Sequence, residues 1–133
     1  MGDTETIKRF VRETLGCACE DAVFRSIDQR VEQLPGGATA VRLEIGHRLL
    51  VRAVSAMDAT ALVAQLPQWV AHGIEERDAL GLNRFRLVLC TSDPSGLGTA
   101  AREMFDGLPL PDERVHLHVL PSEALSALTR SNT

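Results

Sequence analysis

The sequence predicts a single α+β domain over residues 1–133, with helices packed on a four-stranded mixed sheet. Three observations carry that expectation. Amphipathic helical stripes open the chain. "TAVRLEIGHRLLVRAV" alternates apolar and polar residues around a Gly-His turn, the pattern of an antiparallel hairpin. Two later strand-like runs, "FRLVLC" and "RVHLHVL", each follow a helical pattern, which calls for crossover connections. The expected order is α-α-β-β-α-β-α-β-α. A last strand folded back beside the hairpin gives a permuted ferredoxin-like two-layer sandwich, and a three-layer α/β sheet is the alternative. Polar residues on one face of each hairpin strand favour two layers.

From Thr4 to Leu15, the residues Ile7, Phe10, Val11 and Leu15 recur at helical spacing. Gly16 is the expected stop, because glycine accepts the left-handed conformation of a helix end. A second helix is expected from Glu20 and Asp21, whose charges suit a helix start, along Val23, Phe24, Ile27, Val31 and Leu34 to the break at "PGG". In the hairpin, a two-residue Gly46-His47 turn sets Arg48 and Arg52 on the face of Val41, Leu43 and Ile45. A loop of three or five residues instead gathers Val41, Leu43, Ile45, Leu49, Val51 and Ala53. The odd loop is preferred, since register decides which face is buried.

Asp58 to Gly81 reads as helix, with a kink or two abutting helices at Pro67 and a Schellman ending at Gly81-Leu82. "FRLVLC" is a central strand, "TSDPSGLG" a loop, Thr99 to Phe105 a short helix and "LPLPDE" an extended linker. "RVHLHVL" turns Val115, Leu117 and Val119 inward and puts His116 and His118 together on the other face. A short helix around Leu125 and Leu128 follows.

With 44% hydrophobic and 24% charged residues, the composition is that of an ordinary globular domain. A net charge of −4 gives no global basic field for nucleic acid or an anionic membrane. The chain has no tyrosine and one tryptophan, so it lacks an aromatic platform for single strands. The expected partner is a second copy or another protein subunit, with no nucleic acid and no membrane. No apolar run reaches the ~18–20 residues that span a bilayer. "MGDTETIKRF" lacks the basic and apolar regions of a secretory signal. Three cysteines make no secreted disulfide framework, so the cytoplasm is the expected compartment.

Two stretches are candidates for chemistry. Cys17-Ala18-Cys19 lies between the first two expected helices. Amides at a helix start favour a thiolate at Cys19, while Glu20 and Asp21 oppose it. A disulfide across one residue closes a strained ring, which suits a switch better than a clamp. As zinc or iron ligands the pair needs two more donors, from Cys90 or from His116 and His118. The plainer reading is two small buried hydrophobes at a helix corner. No cofactor is predicted. The second candidate is Ser95, Gly96, Gly98 and Thr99 ahead of a helix, where backbone N–H groups can hold an anion. The P-loop lysine is absent, Asp93 stands close, and turn and cap chemistry explains the same residues.

Arg42, Arg48, Arg52, Arg84 and Arg86 form either an anion-binding patch or paired charges. A nuclease core of helix, hairpin and crossover requires clustered acids followed by a lysine, and Glu44 has no such partner. Ser95 lacks the glycine two residues earlier that a serine nucleophile elbow requires. The expected function is therefore a binding or interaction domain without a complete catalytic set. A thiol redox switch or metal site at Cys17 and Cys19 is the alternative.

Overall fold

The computed structural model describes residues 4–16, 20–34, 38–55 and 59–129. Helix α1 (Thr4–Arg9) runs into a π-helical turn over Phe10–Thr14, and a 3-10 turn spans Asp21–Arg25. The strands are β1 (Ile27–Gln33), β2 (Thr39–Ile45), β3 (Leu49–Ser55), β4 (Arg84–Thr91) and β5 (Val115–Pro121). The remaining helices are α2 (Ala59–Ala79), α3 (Pro94–Asp106) and α4 (Glu123–Thr129). Among the described residues the sheet has five strands in chain order. β1, β2 and β3 form an antiparallel meander, and β4 and β5 join it in parallel.

The second expected helix is thus mostly a strand, and the sheet has five strands where four were expected. Ile27 and Val31 are four residues apart, a spacing that puts two side chains on one face of a helix and equally on one face of a strand. Pairing decides between the two. As a strand, Ile27–Gln33 covers the outer edge of β2 from Ile27 opposite Ile45 to Gln33 opposite Thr39. It also turns Asp28 and Glu32 toward the arginines of β2 and β3. Val31, expected in the core, is 59% exposed on this edge strand.

The hairpin register follows the odd loop. Val41 faces Ala53, Leu43 faces Val51 and Ile45 faces Leu49. Gly46 and His47 both have positive φ, and the Arg48 amide donates to the Ile45 carbonyl, so a two-residue turn is followed by Arg48 as one extra residue. The Arg48 carbonyl accepts from the Asn83 and Arg84 amides, tying the turn to the start of β4.

Helices lie on both faces of the sheet, giving three layers instead of the favoured two-layer sandwich. One face buries Leu50, Val54, Phe85, Leu87, Leu89 and Leu117 under α2 and α3. The other buries Leu43, Val51, Ala53, Val88 and Cys90 under α1, its π turn and α4. Sequential strand order with helices on both sides differs from a ferredoxin-like layout. The hairpin's polar positions did not mean water on one face, because Arg42 and Arg52 are buried beneath α2.

Helix α2 runs through Pro67 as one element. It ends in the expected Schellman motif, with the Gly81 amide donating to the Asp78 carbonyl and the Leu82 amide to that of Arg77. Inside α2, Gly73 lets the Phe85 ring lie against the helix backbone, and a Cβ there would overlap the ring. Alanine would gain about 1 kcal/mol of helix propensity, but overpacking against a fully buried ring costs about 1–3 kcal/mol or more. Gly73→Ala is therefore expected to lower the melting temperature. An unchanged or higher value would show that Phe85 moves aside without penalty.

Candidate functional site: an arginine and histidine cluster on two strands

Four arginines are buried among the described residues: Arg42, Arg52, Arg77 and Arg86. A buried charge normally persists only where a partner neutralises it. Three of the four meet that condition. Arg42 donates through Nε to Glu76 and through Nη1 to Asp28 at 3.3 Å. Arg52 donates through Nε to Glu32 at 2.9 Å and through Nη2 to Glu76 at 3.1 Å, while its Nη1 has no partner among the described residues. Burial pushes the Glu76 carboxyl up, but the hydrogen bond from Arg42 and the charges of Arg52 and Arg42 outweigh it and hold the group below its ordinary value. Arg77 grips Asp112 through two parallel bonds of 3.1 and 2.9 Å, and with the Arg114 amide holds that carboxyl down to about 2.

Arg86 is the exception. It lies on β4 on the side covered by the N-terminal helix. Its Nη1 donates to the Leu15 carbonyl at 3.1 Å and pairs with His118 Nε2 at 2.9 Å. Its Nε is buried with no partner, and no carboxylate pairs with it among the described residues. Burial, and then the neighbouring Arg84, disfavour its charge. Arg84, two residues earlier on the same face, pairs through Nη1 with His116 Nε2 at 3.0 Å.

A guanidinium can only donate, so each imidazole accepts at Nε2 and carries its proton on Nδ1. Both rings are neutral in this arrangement. Burial, and next Arg86, hold the His118 ring down to about 4, and the same two causes depress His116. The result is two guanidinium groups and two neutral imidazoles on one face of β4 and β5, with nothing negative opposite them among the described residues. Arg84, His116 and His118 are half-buried, so the cluster reaches the surface. Strand pairing explains its assembly: β4 and β5 are parallel neighbours with Arg86 opposite His116, and alternation puts all four side chains on one side.

Cys17 and Cys19 lie outside the described residues. Leu15, two residues before Cys17, is the residue whose carbonyl Arg86 holds. Cys90 is buried on β4, and burial pushes its thiol up to about 11 against a backbone hydrogen bond from Leu125. Among the described residues no group of three or more His, Cys, Asp or Glu side chains could hold a metal ion. The Nε2 lone pairs of His116 and His118 are already paired with arginine donors. In a Cys17→Ser, Cys19→Ser background, Cys90 is expected to resist an aromatic disulfide reagent at pH 8 until denaturant is added. Fast labelling of the folded protein would contradict its burial.

Ser95, Gly96, Gly98 and Thr99 fall inside α3, which begins at Pro94 and not at Thr99 as expected. The Asp93 carboxylate caps this helix, accepting from the Gly96 amide at 3.2 Å and from Ser95 Oγ at 3.5 Å. Thr99 donates to the Ser95 carbonyl. The helix start thus holds the protein's own carboxylate at the place an anion would occupy.

No helix among the described residues is long and apolar enough to cross a membrane. Compared with protein-family models, curated proteins and solved structures, the chain matches none.

Proposed function

We propose that this chain is a binding domain, without a catalytic set of its own, that takes a small anion at Arg84, Arg86, His116 and His118. The observation that supports the reading is Arg86, the one buried arginine with no carboxylate among the described residues. A buried cation left unneutralised within the fold lowers its free energy by binding negative charge from outside. Among the described residues both bonds of Arg86 use Nη1, and its buried Nε donor is left unsatisfied within the fold.

The test is titration with sodium sulfate at constant ionic strength, followed by the 15N and 13C shifts of the histidine rings. Saturable shifts at His116 and His118, weakened about tenfold or more in Arg84→Gln, are the expected result. Shifts that grow linearly with salt and are unaltered by the substitution would sink the reading.

A thiol switch or metal site at Cys17 and Cys19 is the second reading, and one contact favours keeping it. Arg86 holds the carbonyl of Leu15, two residues from Cys17 in the chain, and a guanidinium near a thiol favours the thiolate. A lower thiol pKa in the parent protein than in Arg86→Met supports this reading, and equal values remove it.

A further inference from the structure

The two histidines occupy the arginine donors that an anion would use. Arg84 Nη1 is 3.0 Å from His116 Nε2, and Arg86 Nη1 is 2.9 Å from His118 Nε2. A neutral imidazole nitrogen is a weaker acceptor for a guanidinium than a charged oxygen. Resting on the anion-site reading above, we propose that a tetrahedral dianion of the phosphate or sulfate type displaces both imidazoles from the arginines, and that the freed rings take up a proton from solvent as it binds.

Geometry and charge both favour this ligand class. Side chains two apart on a strand are roughly 7 Å apart, a span that one tetrahedral oxyanion covers by accepting a bond of ~2.8 Å from either side. The cluster offers donors only: two guanidinium groups, and imidazoles that become donors at both nitrogens once protonated. A carboxylate monoanion would neutralise one arginine and leave the other.

The charged and titratable groups acting on His118 come from three elements: Arg86 on β4, His116 on β5 and Arg102 on α3. The end of the N-terminal helix adds the Leu15 carbonyl, held by the same Arg86 nitrogen. His116 is acted on by Arg86 and Arg84. The arginines, with nothing negative opposite them among the described residues, act together with burial to hold both rings neutral when the site is empty. A dianion reverses the local field, so the complex holds more protons than the free protein. Affinity must then rise as the pH falls from neutral toward the value of the free rings, about 4 for His118. Without ligand the same depressed rings act in the opposite sense. The unfolded chain takes up protons first as the pH drops below about 6.5, so the free protein loses stability there and the dianion restores it.

The decisive experiment is calorimetric titration with sodium sulfate at pH 7.5 and 5.5, in two buffers of different ionisation enthalpy. Sulfate stays a dianion across this range, so any pH dependence belongs to the protein. The expected result is about tenfold tighter binding at pH 5.5, with a net uptake approaching one proton. His118→Gln keeps an acceptor for Arg86 but cannot titrate. It should bind sulfate with a flattened pH dependence and a smaller proton uptake, and His116→Gln serves the same purpose if the first variant does not fold. Acetate is expected to bind far more weakly than sulfate, and equal binding overturns the dianion assignment. Sulfate bound equally at both pH values with no proton uptake overturns the displacement and leaves the anion site standing. No saturable binding at either pH overturns both.

Discussion

Arg52→Met is expected to lose about 3 kcal/mol of folding stability, seen as a lower denaturant midpoint at unchanged slope. Arg52 is fully buried between β3 and α2, and its guanidinium joins Glu32 on the edge strand to Glu76 on the helix. Methionine fills much of the volume but leaves both carboxylates without that cation. Removing one member of a buried pair costs about 3–5 kcal/mol, because the remaining charge stays desolvated. The lower end applies here, since Glu32 is about a quarter exposed and Glu76 keeps Arg42. Against a typical total of about 5–15 kcal/mol, the loss is large.

Two further measurements separate this cause from simple loss of packing. The double variant Arg52→Met with Glu32→Gln should be more stable than Arg52→Met alone, since it removes one stranded charge. Arg52 also helps to hold the Glu76 carboxyl below its ordinary value. The stability that this contributes is present at neutral pH and is lost as the pH falls below about 4.5, where the gap between parent and variant should narrow. A loss below about 1 kcal/mol, or a gap independent of pH, would mean the network contributes little.

What the sequence revealed and hid follows from parity and adjacency. The hairpin register was legible because a two-residue turn would have set Arg48 and Arg52 on the face of Val41, Leu43 and Ile45, so a burial argument could choose the loop. The identity of β1 was not legible. Ile27 and Val31 satisfy a four-residue spacing common to helix and strand, and only the outer edge of β2 decides between them. The arginines were seen as one undivided group, anion patch or paired charges. The structure divides them: Arg42 and Arg52 face the carboxylates of β1 and α2, whereas Arg84 and Arg86 face histidines. The pairs Arg84-x-Arg86 and His116-x-His118 each advertise a common strand face. That β4 and β5 are parallel neighbours, which brings the two faces together, is a property of the whole sheet and is written in neither segment.

Arg86→Met is expected to leave stability within about 1 kcal/mol of the parent while weakening sulfate binding about tenfold or more. Two opposing effects produce the near-balance. Replacing an unneutralised buried charge by an apolar chain of similar volume is favourable by up to about 1–4 kcal/mol. The substitution also removes the donor to the Leu15 carbonyl and to His118 Nε2, at about 1–3 kcal/mol for a buried acceptor and less for the half-buried ring. On the binding side, a charge-assisted hydrogen bond to an anion is worth about 1.5–3 kcal/mol, which is roughly a tenfold to hundredfold change in affinity. Chemical denaturation and sulfate titration of the same preparation read both quantities. A loss of 3 kcal/mol or more with binding unchanged would make Arg86 a strut like Arg52. Both residues are arginines on neighbouring strands with almost no exposed surface, so burial alone predicts the same cost for losing either. Among the described residues their partners differ, carboxylates for one and a carbonyl and an imidazole for the other. A difference in stability cost between the two variants therefore measures how much of a buried cation's value depends on negative charge already within the fold.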